Sequence, residues 1–135
     1  MVDSRDEVEL MRKRAIGFLE AAKYSLKRGN YDIAAFNAEQ AAQLYLKSLL
    51  LELIGDFPKT HSLIFLLREL KRLKEREVEG FIARNKRGLH NLEDAYLTSR
   101  YFYKEFDEED GRYLISLAEE VISFCEKLRS SVGKE

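Results

Sequence analysis

Apolar residues recur every three or four positions along most of this 135-residue chain, which is the spacing of one face of an α-helix. The first stripe spans residues 8–26 and is followed by Gly29, a residue type that often ends helices. A second helix is predicted from about residue 31 to residue 54, with a stop at Gly55. No segment alternates with period two, so the pattern predicts helices and no strands.

Three further helices follow the loop GDFPK, which holds the only proline. Thr60 is predicted to cap a third, shorter helix whose apolar stripe spans residues 63–73. A fourth spans about 77–101, and the acidic run 107–110 favours the positive N-terminal end of a fifth. The turns are short, so we predict an all-α fold: an antiparallel up-and-down bundle of four long helices plus one shorter helix. The length fits one domain, residues 1–135.

The second helix differs from the others because it is apolar around most of its axis. Such a helix is usually central in a bundle or lies at a subunit interface, and we expect self-association. Its apolar positions are Ile33, Ala34, Ala38, Ala41, Ala42, Tyr45, Leu46, Leu49, Leu50 and Leu53. The remaining strip is polar but carries a single charge, and consists of Asn37, Gln40, Gln43 and Lys47.

Composition narrows the classes of function. With 23 basic and 24 acidic residues the net charge is -1, which argues against a dedicated duplex-DNA binder. The single cysteine, Cys125, excludes an internal disulfide and a structural zinc site, and is compatible with a reducing cytosol. No stretch reaches 18 apolar residues and the N-terminus has no apolar signal core, so we expect a soluble, cytoplasmic protein that does not enter membranes.

The usual signatures of catalytic and cofactor sites are absent from the sequence. There is no glycine-rich phosphate loop, no GxSxG and no Cys/His spacing for a metal, so we expect neither a metal nor a cofactor. His61 lies at a helix start, where an anion can bind, but a capping and packing role is the favoured interpretation. The acidic run 107–110 lacks the spaced oxygen ligands of a calcium loop, so we interpret it as a solvent-exposed segment before the fifth helix.

The segment RNKRGLH carries the strongest candidate chemistry, through Arg84, Asn85 and His90. A guanidinium binds phosphate through its planar fork, and an imidazole transfers protons near neutral pH, so the two suffice for metal-free RNA cleavage. However, six helical steps separate them by about 120° around the axis and ~9 Å along it. A break near Gly88, or a second copy of the helix across a two-fold axis, is needed to bring them together. The alternative is that Arg84, Asn85 and His90 are ordinary surface residues on a solvent-exposed helix face.

Three stretches, in order on an all-helical frame, resemble the HEPN domain family (higher eukaryotes and prokaryotes nucleotide-binding) over about residues 5–130. AAFNAEQAAQLYLKSLL is similar to the family's second helix, KTHSLIFLL to the start of its third, and HNLEDAYLTSRY to its leucine, tyrosine and arginine-tyrosine segment. The matching positions are Glu39, Gln40, Ala41, Lys47, His61, Leu92, Tyr96, Arg100 and Tyr101.

This resemblance implies a helical bundle that forms a homodimer and pairs with a small nucleotidyltransferase, in the manner of a toxin–antitoxin pair. Many relatives are metal-independent RNases whose motif is an arginine, a following polar residue and a histidine. Arg84, Asn85 and His90 fit this motif. In such relatives the two copies of the motif meet at the dimer interface. The branch marked by Tyr96, Arg100 and Tyr101 often lacks that histidine motif and is viewed as binding nucleotides or partners.

Two hypotheses therefore stand. In the first, the protein is a nucleotide-binding partner subunit of a nucleotidyltransferase, with a ligand site formed by Gln40, Gln43, Lys47, Tyr96, Arg100 and Tyr101. In the second, it is a metal-independent RNase toxin with a composite site at the dimer interface, formed by Arg84, Asn85 and His90.

Overall fold

The computed structural model describes residues 4–101 and 105–132 of the chain, without the side chains of residues 98–101. Within these residues the structure contains helices and no strands, with four long helices and one short one, so the predicted all-α fold is confirmed. The helices are α1 Ser4–Lys27, α2 Tyr31–Leu53, α3 Leu63–Glu69, which continues into a 3₁₀ turn at Leu70–Arg72, α4 Glu75–Tyr101 and α5 Glu108–Val132.

Neighbouring contacts fix the directions of the four long helices. The ion pair of Arg12 with Glu52 joins the start of α1 to the end of α2. Ring stacking of Phe36 on Tyr96 joins the start of α2 to the end of α4, and Phe81 on Phe124 joins the start of α4 to the end of α5. Helices α1 and α4 therefore run one way and α2 and α5 the other, as predicted for an up-and-down bundle.

The predicted helix ends are right at two glycines and wrong at Thr60. Gly29 and Gly55 have φ of 79° and 99°, a left-handed conformation that glycine adopts at little cost. Helix α3 is capped instead by Ser62, whose hydroxyl accepts from the backbone N–H of Phe65 at 3.1 Å. The backbone is still extended at Ser62, so the helix has not yet begun at Thr60. The Thr60 hydroxyl accepts a hydrogen bond from the backbone N–H of Ser62 at 3.1 Å and, among the described residues, from no N–H of α3.

Helix α2 is the centre of the bundle and packs against each of the other four helices. Its small residues permit this close approach, because alanines at positions 34, 35, 38, 41 and 42 are all fully buried. Among the apolar positions of α2, Ile33 near the start of the helix has 53% of its surface exposed in the single chain. Cys125 on α5 is fully buried in the same core, and burial raises the pKa of its thiol.

None of the described helices is both long and apolar enough to cross a membrane.

Candidate functional site

A carboxyl group is buried in the middle of α2. Glu39 has no exposed surface, and its two oxygens accept hydrogen bonds from Gln40 Nε2 at 2.8 Å and Gln43 Nε2 at 2.6 Å. Burial raises the pKa of Glu39 to about 7, because it outweighs these hydrogen bonds and the positive charge of Lys47, which favour the ionised form. The site thus holds a carboxyl that changes its charge near neutral pH.

Gln43 connects this carboxyl to His61 in the loop before α3. Its Nε2 lies 3.2 Å from His61 Nδ1 and donates to the His61 backbone oxygen at 3.3 Å, in addition to Glu39. The amide is itself buried. Because both hydrogens of one NH₂ group have acceptors on different elements, Gln43 fixes the loop against α2.

An aromatic stack covers the other side of His61. The ring of Tyr96 on α4 stacks on His61 with centroids 4.5 Å apart and an interplanar angle of 22°. Tyr96 also stacks on Phe36 of α2 at 5.7 Å. Three elements that are distant in sequence therefore meet at one aromatic surface.

Glu93 on α4 holds the start of α3 beside this surface. Its Oε1 accepts from Ser62 Oγ at 3.1 Å and from the backbone N–H of Ile64 at 3.0 Å. A cavity of about 210 Å³ opens next to these groups and is lined by His61, Ser62, Glu93, Asp94, Tyr96 and Leu97. The lining combines flat aromatic rings with hydrogen-bonding carboxylates, which suits a small, partly polar ligand.

Lys47 extends the polar strip by one further turn of α2. It is half-buried, and its Nζ lies 5.7 Å from the ring centroid of Phe57. Burial lowers the pKa of Lys47, while the charge of Glu39 acts in the opposite direction. The lysine therefore contributes a partly desolvated positive charge at the edge of the site.

Four of the predicted ligand residues belong to this neighbourhood: Gln40, Gln43, Lys47 and Tyr96. The side chains of Arg100 and Tyr101 lie outside the described residues. Sequence reasoning did not place Glu39 or Glu93 in the candidate ligand site, and it favoured a capping and packing role for His61. Glu39 lies one helical turn before Gln43 and two turns before Lys47, so the spacing places it on the same face of α2 as these two residues. No local sequence feature indicates that His61 stacks on Tyr96.

The RNase candidates lie elsewhere on α4 and do not meet within one chain. Arg84 is exposed and lines a groove of about 480 Å³ between α4 and α5, together with Asn85. Asn85 Nδ2 donates to the backbone oxygen of Phe81 at 2.9 Å. His90 is exposed, and its Nδ1 lies 3.5 Å from Glu93 Oε2.

Helix α4 continues without interruption through Gly88, so a break there does not close this gap. The glycine instead permits close packing against α5. A Cβ at this position would clash with the Tyr113 hydroxyl and come within 2.8 Å of Leu117 Cδ2. Arg84 and His90 therefore remain on an intact helix, separated by ~9 Å along its axis.

No cluster of three or more metal-ligating side chains occurs within residues 4–101 and 105–132. In the acidic run, Asp107 and Asp110 cap each other's backbone at the start of α5: the N–H of Asp110 donates to Asp107 Oδ1 at 2.8 Å, and that of Asp107 to Asp110 Oδ2 at 3.0 Å. These two carboxylates thus stabilise a helix end.

The chain is similar to one family of protein domains and to solved structures of the same fold. The protein-family model of the HEPN domain matches residues 8–128 of the sequence. The structure of TT1696 from Thermus thermophilus is similar with a TM-score of 0.74 and 26% identity, covering 90% of this chain and 97% of that one. ST0689, an archaeal HEPN homologue, has a TM-score of 0.67 and 23% identity over 89% of this chain and 95% of its own, which shows the shared fold. A search of curated proteins found no match.

Proposed function

The chain belongs to the HEPN domain family, and we propose that it is a nucleotide-binding subunit that acts with a separate small nucleotidyltransferase in a toxin–antitoxin-like pair. The observation that carries the proposal is the meeting of Gln43, His61 and Tyr96 beside the buried carboxyl of Glu39. We further propose that it works as a homodimer of single-domain chains.

The chemistry of this site suits a nucleoside. A base has a flat face that stacks on aromatic side chains, and Tyr96 and His61 supply such rings at the cavity. Carboxylates accept hydrogen bonds from the exocyclic amines of bases and from ribose hydroxyls, and Glu93 and Asp94 line the same space.

The size of the cavity sets how much of the ligand enters. At about 210 Å³ it is smaller than most small-molecule pockets, so a base or a ribose enters and the phosphates stay outside. Arg100 and Tyr101 follow Tyr96 by one turn of α4, and their side chains lie outside the described residues.

Replacing Tyr96 by alanine is expected to weaken nucleotide binding about 5- to 150-fold, since stacking on a base contributes roughly 1–3 kcal/mol. Titration calorimetry with the four ribonucleoside triphosphates measures the affinity of the wild type and the variant. The matched control is Tyr24→Ala, a tyrosine on α1 that is 62% exposed and does not line the cavity. Equal affinities for Tyr96→Ala and the wild type, or no binding by the wild type, would contradict a nucleotide site here.

The partner is tested separately. A tagged copy of the chain, purified from its native host, is expected to bring down a small nucleotidyltransferase identifiable by mass spectrometry. If the chain binds nucleotide but is recovered alone, the ligand site stands and the proposed pairing fails.

A second candidate function is metal-independent RNA cleavage at a composite dimer site. The exposure of both Arg84 and His90 favours it, because a second copy can reach them. Glu93 lies beside His90 Nδ1, which leaves Nε2 as the atom available for proton transfer. In this hypothesis Arg84 binds the phosphate and Asn85 orients the backbone or a ribose hydroxyl.

If this hypothesis is right, purified protein cleaves RNA in EDTA, and Arg84→Ala and His90→Ala each lower the rate about 100-fold or more. Arg87→Ala is the matched control, because this arginine is exposed in the same segment but lies outside the motif. Intact RNA with the wild type, or equal losses in all three variants, would rule out the composite site.

A further inference from the structure

A second cavity, of about 330 Å³, lies on the side of α2 that faces α1 and α5. It is formed by the start of α1 and the ends of α2 and α5, which the up-and-down topology brings to one end of the bundle. The residues that line it are Ser4, Arg5, Val8, Glu9, Arg12, Leu51, Glu52 and Arg129. Three arginines and two glutamates give this lining a formal net charge of +1.

Glu52 is the internal counter-ion of this cavity, and two arginines share one of its oxygens. Arg12 Nη2 lies 2.9 Å and Arg129 Nε lies 3.0 Å from Glu52 Oε1. One carboxylate charge therefore faces two guanidinium charges. The third arginine, Arg5, lines the same cavity.

Arg12 also has a hydrogen-bond donor without a partner among the described residues. Its Nε–H is buried and has no acceptor within the described part of the chain. Nε and Nη2 form one edge of the guanidinium, which binds an oxyanion through two parallel hydrogen bonds. Here Glu52 takes only the Nη2 position, although a buried donor without a partner is costly.

Arg12 also packs against an aromatic ring. Its guanidinium lies over the ring of Tyr45 on α2, at 5.7 Å from the centroid, and only 17% of its side chain is exposed. A packed arginine loses little additional conformational entropy when it binds an anion, so it is better prepared for recognition than a free surface arginine.

From these contacts we propose that the cavity is a binding site for a phosphate group, held by Arg5, Arg12 and Arg129. Glu52 occupies part of the site in its absence and competes with the ligand. A tetrahedral oxyanion offers more acceptor oxygens than one carboxylate, so it fits a cluster of three forked donors. The site is separate from the nucleoside cavity, because it lies across α2 from Gln43 and draws on α1 and α5.

Titration of the purified protein with inorganic phosphate at constant ionic strength tests this inference. Arg5→Gln and Arg129→Gln are each expected to weaken phosphate binding about tenfold. Glu52→Gln is expected to strengthen it severalfold, since the internal competitor is removed. Both arginines are exposed enough for their replacement to leave the fold intact, and Arg87→Gln on α4 is the control for general charge loss.

The source of the phosphate is distinguished by two further ligands, a 5′-phosphorylated dinucleotide and its 5′-hydroxyl counterpart. Tighter binding of the phosphorylated form than of inorganic phosphate identifies a nucleic-acid end, whereas equal binding identifies free phosphate. The proposal is overturned if Glu52→Gln binds phosphate no better than the wild type, or if Arg87→Gln causes the same loss as Arg129→Gln.

Discussion

Replacing Glu39 by glutamine is expected to make stability relative to the wild type rise with pH, although the amide that replaces one carboxylate oxygen cannot accept both hydrogen bonds from Gln40 and Gln43. The carboxyl has a pKa of about 7 in the folded chain and 4.5 as an unperturbed group. The folded state therefore binds the proton more tightly, and the stability that this contributes below pH 4.5 is lost as the pH rises to 7. The loss is about 3 kcal/mol.

The glutamine variant cannot ionise at position 39, so the difference in free energy of unfolding between variant and wild type is expected to grow by about 3 kcal/mol from pH 4.5 to 7.5. Urea unfolding at several pH values measures this difference. Glu20→Gln, an exposed glutamate on α1, is the control and is expected to show little change. A difference that stays constant with pH would show that Glu39 ionises normally, and would remove the titrating group from the candidate site.

Replacing Leu46 by alanine is expected to lower the free energy of unfolding by about 2–5 kcal/mol, which is the largest stability effect that we predict. Leu46 is fully buried in the middle of α2, the helix that contacts all the others. A cavity there removes contacts from several helices at once. Chemical unfolding monitored by circular dichroism gives the measurement.

Ile33→Ala on the same helix is the matched control, because 53% of Ile33 is exposed. We expect a change within about 0.5 kcal/mol. A large loss that depends on protein concentration would instead indicate that Ile33 is buried between two copies of the chain. Equal losses at both positions would contradict the central placement of α2.

The periodicity of the sequence was sufficient for the helices but not for every boundary. Gly29 and Gly55 end helices for a local reason, their positive φ, and both were predicted. The cap of α3 was not, because Thr60 and Ser62 are both good capping residues. The choice depends on where the chain leaves its extended path, and the contacts of Glu93 with Ser62 and Ile64 hold that point.

The exposure of Ile33 shows the same limit. The apolar pattern of α2 shows which residues avoid water on average, but it does not show which faces of the helix the neighbouring helices cover. Ile33 is 53% exposed although the adjacent Ala34 and Ala35 are fully buried, so only part of the circumference of α2 is covered at this point. Leu46, in the middle of the helix, is fully buried. Burial on each face is therefore decided by the packing of the neighbouring helices.

For the candidate sites, the sequence by itself determined the polar strip of α2 and the spacing of Arg84 and His90, because both depend only on helical geometry. Tertiary structure decided the rest: the stacking of His61 on Tyr96, the burial that raises the pKa of Glu39, and the sharing of Glu52 by Arg12 and Arg129. These contacts join residues from different helices, and their energies come from excluding water between elements that the chain brings together only on folding.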